Sequence, residues 1–270
     1  MLLTELERFI EEDTGYNDVS SGIIPDCKAQ AEVMANEDGV VAGLAEATQV
    51  FEYFDVLATT DLTEGSVIKK NDVLLTLDGG ARSILRAERL ALNFLGRMSG
   101  IATLTRKYVE LAGGVRIACT RKTTPGFRKF EKKAVFTGGG DPHRFNLSDA
   151  VMIKDNHLAV LGLEKAVKTA KSMASFTQKI EVEVETVDDA VHAAVLGVDI
   201  IMFDNMTTDK IEQSIVSITE KGLRKGIILE ASGGISLENL AEYASTGVDV
   251  ISIGALTHSS RWLDMSMRVK

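Results

Sequence analysis

The chain has 270 residues, 45% hydrophobic and 26% charged, enough for two modest domains or one barrel with an appendage, each with its own core. Its net charge of -9 provides no overall positive field, which argues against nucleic acid as a partner but still allows a small anion held by a local basic cluster. Cys27 and Cys119 are the only cysteines and lack metal-ligand spacing, so a disulfide framework is not expected and a reducing, cytoplasmic setting is.

The N-terminus reads as an amphipathic helix over 2–12, with no long apolar run that would make a leader or a membrane span. A loop follows from Gly15 to Pro25. Extended segments are expected at Ala29–Met34, Gly39–Ala42, Asp55–Thr60 and Val73–Leu77, with a helix over Leu44–Phe54. This mixture reads as a separate small α+β domain. Helix is expected from Arg82 to Leu111, broken in two at Ser99-Gly100.

After Gly113-Gly114 short β-branched runs alternate with helices. Strands are expected at Val115–Cys119, Ala150–Ile153, Ile180–Val184, Ile200–Phe203, Ile227–Leu229 and Val250–Ile253. Helices fill Gly126–Thr137, Leu163–Met173, Val187–Leu196, Thr208–Lys221 and Leu237–Thr246. Such alternation implies a parallel sheet covered by helices, in a closed barrel or an open doubly wound sheet. Periodicity does not separate the two, and six strands are fewer than a full barrel's eight.

Polar residues recur at the carboxyl ends of these strands, where βα barrels place their active sites. They are Thr120-Arg121-Lys122, Lys154-Asp155-Asn156-His157, Asp204-Asn205, Glu230 through Gly234, and Ser252-Ile253-Gly254. In Glu181-Val182-Glu183-Val184-Glu185 one strand face is valine and the other carboxylate. Burying an unpaired carboxylate costs about several kcal/mol, so at least Glu183 needs a cation, a metal or a hydroxyl beside it.

Arg121, Lys122, Arg144 and Lys154 fall at strand ends or in a loop, and their convergence would hold a polyanion. Lys129, Lys132 and Lys133 read as solvated charges on a helix. Gly138-Gly139-Gly140 before Asp141-Pro142-His143-Arg144 reads as a loop allowing close approach to a ligand. Ser232-Gly233-Gly234 before a helix, with Ser252-Ile253-Gly254 on the next strand, matches the phosphate site that barrels build from their last two βα loops. The four histidines lack zinc spacing, whereas Glu183 and Asp204 suit Mg²⁺.

At these residues the sequence resembles the quinolinate phosphoribosyltransferase family over nearly its whole length. The matching stretches include Arg86-Ala87-Glu88-Arg89, Ser99-Gly100-Ile101-Ala102-Thr103, Thr120-Arg121-Lys122-Thr123-Thr124-Pro125-Gly126 and Gly138-Gly139-Gly140 with His143-Arg144. Ile153-Lys154-Asp155-Asn156-His157, Glu181 through Glu185, Ser232-Gly233-Gly234-Ile235 and Gly254-Ala255-Leu256-Thr257-His258 follow in order. Pro142 stands where the family commonly has Asn, and Asn146 where Gly is frequent.

The resemblance implies an N-terminal α/β sandwich over 1–112 and an incomplete α/β barrel of about seven strands over 113–258, with the tail 259–270 packing back on the sandwich. It implies phosphoribosyl transfer from phosphoribosyl pyrophosphate to quinolinate with decarboxylation. It further implies Mg²⁺ and a homo-oligomer, a dimer or a larger assembly of dimers, in which Arg89 crosses from a partner. Arg89, Thr120, Arg121, His143 and Arg144 would bind quinolinate. Lys122 and Lys154 would serve both substrates, and Glu183 and Asp204 the ribose and the Mg²⁺–pyrophosphate. Ser232, Gly233, Gly234, Ser252 and Gly254 would cradle the 5′-phosphate. The rivals are a related acceptor such as nicotinate, a molybdenum-transport-associated homologue, a non-catalytic anion-binding barrel, and an aldolase using Lys154 as a Schiff base.

Overall fold

The computed structural model describes residues 1–16 and 18–270; Asn17, within the expected loop, lies outside the described residues. The first elements are α1 (Leu3–Thr14), β1 (Lys28–Ala35), β2 (Gly39–Val40), α2 (Leu44–Tyr53), β3 (Leu57–Thr59), β4 (Val67–Ile68), β5 (Val73–Gly80) and α3 (Ala81–Leu111). Then come β6 (Arg116–Ala118), α4 (Arg128–Thr137), β7 (Val151–Ile153), α5 (Asp155–Leu161), α6 (Leu163–Met173), β8 (Ile180–Val184) and α7 (Val187–Val195). The last are β9 (Ile200–Asp204), α8 (Thr208–Glu220), β10 (Ile228–Ser232), α9 (Leu240–Ser245), β11 (Val250–Ser252), α10 (Ala255–His258) and β12 (Met265–Val269). Two compact units result: Met1–Arg106, Lys133–Gly139 and Ser260–Lys270 form one, Lys107–Lys132 and Gly140–Ser259 the other.

The first unit is built on an antiparallel sheet in the order β12-β1-β5-β3. Along β1 the side chains of Ala31, Val33 and Ala35 are buried and alternate with more exposed neighbours, as one covered sheet face requires. Phe51 of α2, Leu74, Leu75 and Leu77 of β5, and Phe94, Leu95 and Met98 of α3 are fully buried in the core. The tail strand β12, which local pattern did not reveal, pairs with β1 from Ala31↔Val269 to Ala35↔Met265.

The helix expected to break at Ser99-Gly100 does not break: α3 runs 31 residues without interruption. The two residues serve packing instead. Ser99 is buried, and its hydroxyl accepts from Ala42 N at 2.9 Å and donates to Ala42 O at 3.1 Å. A Cβ on Gly100 would lie 2.0 Å from the Arg261 carbonyl oxygen, so glycine there admits the returning tail.

The second unit holds a parallel sheet in the order β6-β11-β10-β9-β8-β7. From β7 to β11 the spatial order is the chain order, and the first strand, β6, then pairs with the last, β11. An open doubly wound sheet reverses direction at a switch point; this sheet curls round on itself. The Asp141 segment forms a parallel bridge to Ala118 on the other edge of β6. Six strands and this bridged segment give the incomplete, seven-position α/β barrel. Val182 and Val184 of β8 are buried on the side where α6 and α7 pack, which turns Glu181 and Glu183 to the interior.

Candidate active site

The carboxyl ends of the barrel strands bring the expected groups into register. Ser232 pairs with Asp204 on one side and Ser252 on the other, and Ser252 pairs with Ala118. Two residues deeper, Glu230 and Glu183 both pair with Met202. The Ser232-Gly233-Gly234 turn is fixed by shape: Gly233 has φ +94° and its Cβ would lie 2.2 Å from Asn205 Oδ1. The helix expected from Leu237 begins only at Leu240 and has six residues. The turn's own backbone N–H groups, rather than a helix terminus, are therefore the donors nearest Ser232 in sequence.

The loop after β6 is held from several sides. Thr120 Oγ1 accepts from Lys122 N at 3.1 Å, and Lys122 O accepts from Thr257 Oγ1 at 2.7 Å. A Cβ on Gly254 would meet Lys122 Cδ at 3.2 Å, so glycine lets the lysine stem pass. The carboxylate of Glu131, buried on α4, accepts from Thr124 N and Oγ1, both at 3.0 Å. Lys154 follows β7, where Asp155 starts a helix that sequence reading treated as a strand end. His157 Nδ1 accepts from Lys154 N at 3.0 Å, and the Lys154 ammonium pairs with Glu183. Glu183 thus has the cationic partner its burial demands.

Lys132 is a correction to the sequence reading. It is fully buried rather than solvated, with its ammonium on Pro142 O and 3.4 Å from Cys119 Sγ. Burial lowers its pKa and raises that of the Cys119 thiol. Lys133, also read as solvated, reaches Glu46 at 2.8 Å and Glu64 at 3.4 Å.

The loop bearing His143 and Arg144 lies beside a buried carboxylate pair. His143 has φ 52°, a conformation costing about 1–3 kcal/mol for a non-glycine residue. Its N–H donates to Asp141 Oδ1 at 2.7 Å, which offsets part of that cost. His143 Nδ1 accepts from Arg144 N at 2.8 Å, while Nε2 stands 3.3 Å from Glu230 and 4.0 Å from Glu181. Burial opposes protonation of His143, but the hydrogen bond and charge of Glu230 outweigh it and raise its pKa. Burial, then the charge of Glu230, pushes the Glu181 carboxyl up to about 8. Burial, then the nearby Arg121 charge, lowers the pKa of Arg144.

Among the described residues, the buried side-chain polar atoms without a hydrogen-bond partner are Arg121 Nε, Ser252 Oγ, one oxygen of Glu230 and both of Glu181. All belong to this unit, and such orphans are rare in folded proteins unless a ligand or water meets them. Arg89 is placed differently: it is exposed on α3, in the first unit. Sequence reading missed Glu131 and Lys132 as supports of the loops and assigned no role to Glu181 or Glu230. The alternation argument used for Glu183 applies equally to Glu181, two residues before it on the same strand face.

Glu183 and Asp204, on neighbouring strands, are hard oxygen donors. Two carboxylates suit Mg²⁺, which takes its remaining ligands from water and phosphate.

Family comparisons cover both units. The model of the quinolinate phosphoribosyl transferase N-terminal domain matches residues 15–99, and that of the C-terminal domain residues 101–268. A probable nicotinate-nucleotide pyrophosphorylase [carboxylating] of Methanothermobacter thermautotrophicus is 44% identical over 98% of this chain and 98% of its own. The human nicotinate-nucleotide pyrophosphorylase [carboxylating] is 37% identical over 98% of this chain and 90% of its own. Among solved structures, NadC from Streptococcus pyogenes superposes with TM-score 0.93 at 41% identity, covering 99% of this chain and 95% of that one. With matches along nearly its whole length in sequence and structure, the chain belongs to the quinolinate phosphoribosyl transferase family.

Proposed function

We propose that the protein transfers the phosphoribosyl group of phosphoribosyl pyrophosphate to the ring nitrogen of quinolinate. The adjacent carboxylate leaves as CO₂, and the other products are nicotinate mononucleotide and pyrophosphate. The observation that carries this reading within the barrel is the set of donors without acceptors: Arg121 Nε and Ser252 Oγ are buried and unpartnered at strand ends. Such donors are stabilised by an anion. The matched relatives, named nicotinate-nucleotide pyrophosphorylase [carboxylating], are aligned along nearly their whole length.

Arg121, Arg144 and His143, with Thr120, receive the two quinolinate carboxylates, and Arg89 of a second copy completes that pocket. Arg89 is exposed and so available to a neighbouring copy; on this reading the enzyme is a homo-oligomer. Ser232, Gly233, Gly234, Ser252 and Gly254 hold the 5′-phosphate through hydroxyls and backbone N–H groups. Lys122 and Lys154 lie between the substrates and offset their combined negative charge.

As the ring nitrogen attacks the anomeric carbon, pyrophosphate departs and positive charge develops on the ribose. Glu183 and Asp204 stabilise that charge electrostatically. They would also hold Mg²⁺, partly through water, and the metal would neutralise pyrophosphate. Much of the rate comes from holding two multiply charged anions in reacting geometry. The newly cationic nitrogen then favours loss of the neighbouring carboxylate. Two free cysteines, one of them exposed, fit a cytoplasmic setting.

The test is incubation with Mg²⁺, phosphoribosyl pyrophosphate and either quinolinate or nicotinate, with products identified by mass. Nicotinate mononucleotide from quinolinate alone supports the reading. Product from nicotinate alone replaces the acceptor.

A further inference from the structure

The acceptor loop is pinned through its backbone at four of the five residues from Asp141 to Phe145. Cys119 N donates to Asp141 O at 3.0 Å, Lys132 holds Pro142 O, and His143 N donates to Asp141 Oδ1. Arg128 Nη1 donates to Phe145 O at 3.0 Å. These contacts set the path of the chain and leave the His143 ring to be oriented by other groups. Its Nδ1 already accepts the Arg144 N–H, so in the neutral ring the proton is on Nε2. Nε2 faces Glu230 Oε2 at 3.3 Å, from a carboxylate that is 2% exposed and whose other oxygen has no partner.

We propose that Glu230 is a positioning residue for the acceptor site: it fixes the tautomer and angle of the His143 ring, and through Nδ1 the start of Arg144, without touching substrate. Two features support this over a merely structural role. Glu230 sits two residues deeper than Ser232, below the row of groups assigned to the phosphate, and it faces the His143 ring rather than a group assigned to the donor. Among the described residues, its side-chain hydrogen-bond partner is the ring of a residue held at φ 52°, whose orientation would otherwise be loose. Glu181 closes the other side of the ring at 4.0 Å. The proposal rests on the assignment of His143 and Arg144 to the acceptor carboxylates.

The experiment compares Glu230→Gln and Glu230→Ala with the parent protein. Gln keeps an oxygen for the Nε2 proton; Ala does not. Ala should raise the quinolinate KM about tenfold or more while the phosphoribosyl pyrophosphate KM stays within about twofold, and Gln should recover most of the loss. Equal rises in both KM values, or a Gln variant as impaired as Ala, would overturn the proposal.

A second readout needs no substrate and no Ala variant. Nitrogen NMR of the ring in the parent protein at mildly alkaline pH, assigned by loss of the signal in His143→Asn, should show the Nε2-protonated tautomer. The Nδ1-protonated form would overturn the proposal. So would a stoichiometric divalent metal at His143, Glu181 and Glu230, whose ligand atoms lie within 4.8 Å of one another, because Nε2 would then be a ligand. Failure of the parent protein to use quinolinate would instead defeat the acceptor assignment, and the ring tautomer would still report on Glu230.

Discussion

The Lys154 ammonium is paired with the Glu183 carboxylate between the carboxyl ends of adjacent strands. The lysine side chain is 41% exposed and the glutamate 13%, so the carboxylate is the fixed member and the ammonium the one that can swing. On the proposed reading, a lysine held in this way exchanges its partner for substrate without carrying an uncompensated charge into the barrel.

Lys154→Ala should therefore leave the fold intact and lower kcat about 100-fold or more, because it removes the cation that the proposed mechanism places between both anions. Circular dichroism and steady-state kinetics check this. Near-normal turnover in the folded variant would remove Lys154 from the site.

Gly233 and Gly234 should differ in what they tolerate. Both have positive φ, +94° and +62°, but a Cβ at Gly233 meets Asn205 Oδ1 at 2.2 Å and Asn205 N at 2.9 Å, whereas one at Gly234 meets nothing within 4 Å. Gly234→Ala should cost about 1 kcal/mol from backbone strain alone. Gly233→Ala should cost about 1–3 kcal/mol more and raise the phosphoribosyl pyrophosphate KM as the turn shifts. Denaturant unfolding and KM measurements on the two variants compare them directly.

Gly100→Ala sets two effects against each other. Helix propensity favours alanine over glycine by about 1 kcal/mol in a helix interior. Against it, the new Cβ would lie 2.0 Å from the Arg261 carbonyl oxygen, a backbone atom that cannot rotate away. Overpacking of this kind costs about 1–3 kcal/mol, and with a backbone neighbour the upper end applies. The variant should be destabilised; a stabilised one would mean that the tail between Ser260 and Leu263 yields easily.

Lys132→Met keeps most of the buried volume but leaves Pro142 O with the weak Cys119 thiol donor at 3.3 Å in place of a cation, which loosens the loop before His143. Stability should fall by about 1.5–3 kcal/mol, the scale of a lost hydrogen bond to a charged group. The quinolinate KM should rise more than that of phosphoribosyl pyrophosphate, because Pro142 directly precedes the acceptor pair. An unchanged quinolinate KM would show that the other backbone contacts suffice.

The sequence made the barrel's strands legible because each is a short β-branched run bounded by polar residues. The bounds of β8 and α6 were read to the residue. Barrel closure was not legible, since the pairing of β6 with β11 joins segments more than 130 residues apart. Ser99-Gly100 misled because the pair also punctuates helix ends; its use here depends on Arg261, far along the chain. Lys132 misled because helical periodicity places charges on a face without saying what covers it. Glu183 was recognised from alternation, and the role of Glu230 was not, because its partner His143 comes from a loop 87 residues away.

The central claim concerns the acceptor, and decarboxylation tests it most directly. Quinolinate isotopically labelled at the carboxylate next to the ring nitrogen should be incubated with the protein, Mg²⁺ and phosphoribosyl pyrophosphate. The account predicts labelled CO₂ in equal amount to pyrophosphate and nicotinate mononucleotide, with none when phosphoribosyl pyrophosphate is omitted. Pyrophosphate formed without labelled CO₂, or no reaction while phosphoribosyl pyrophosphate still binds, would contradict it.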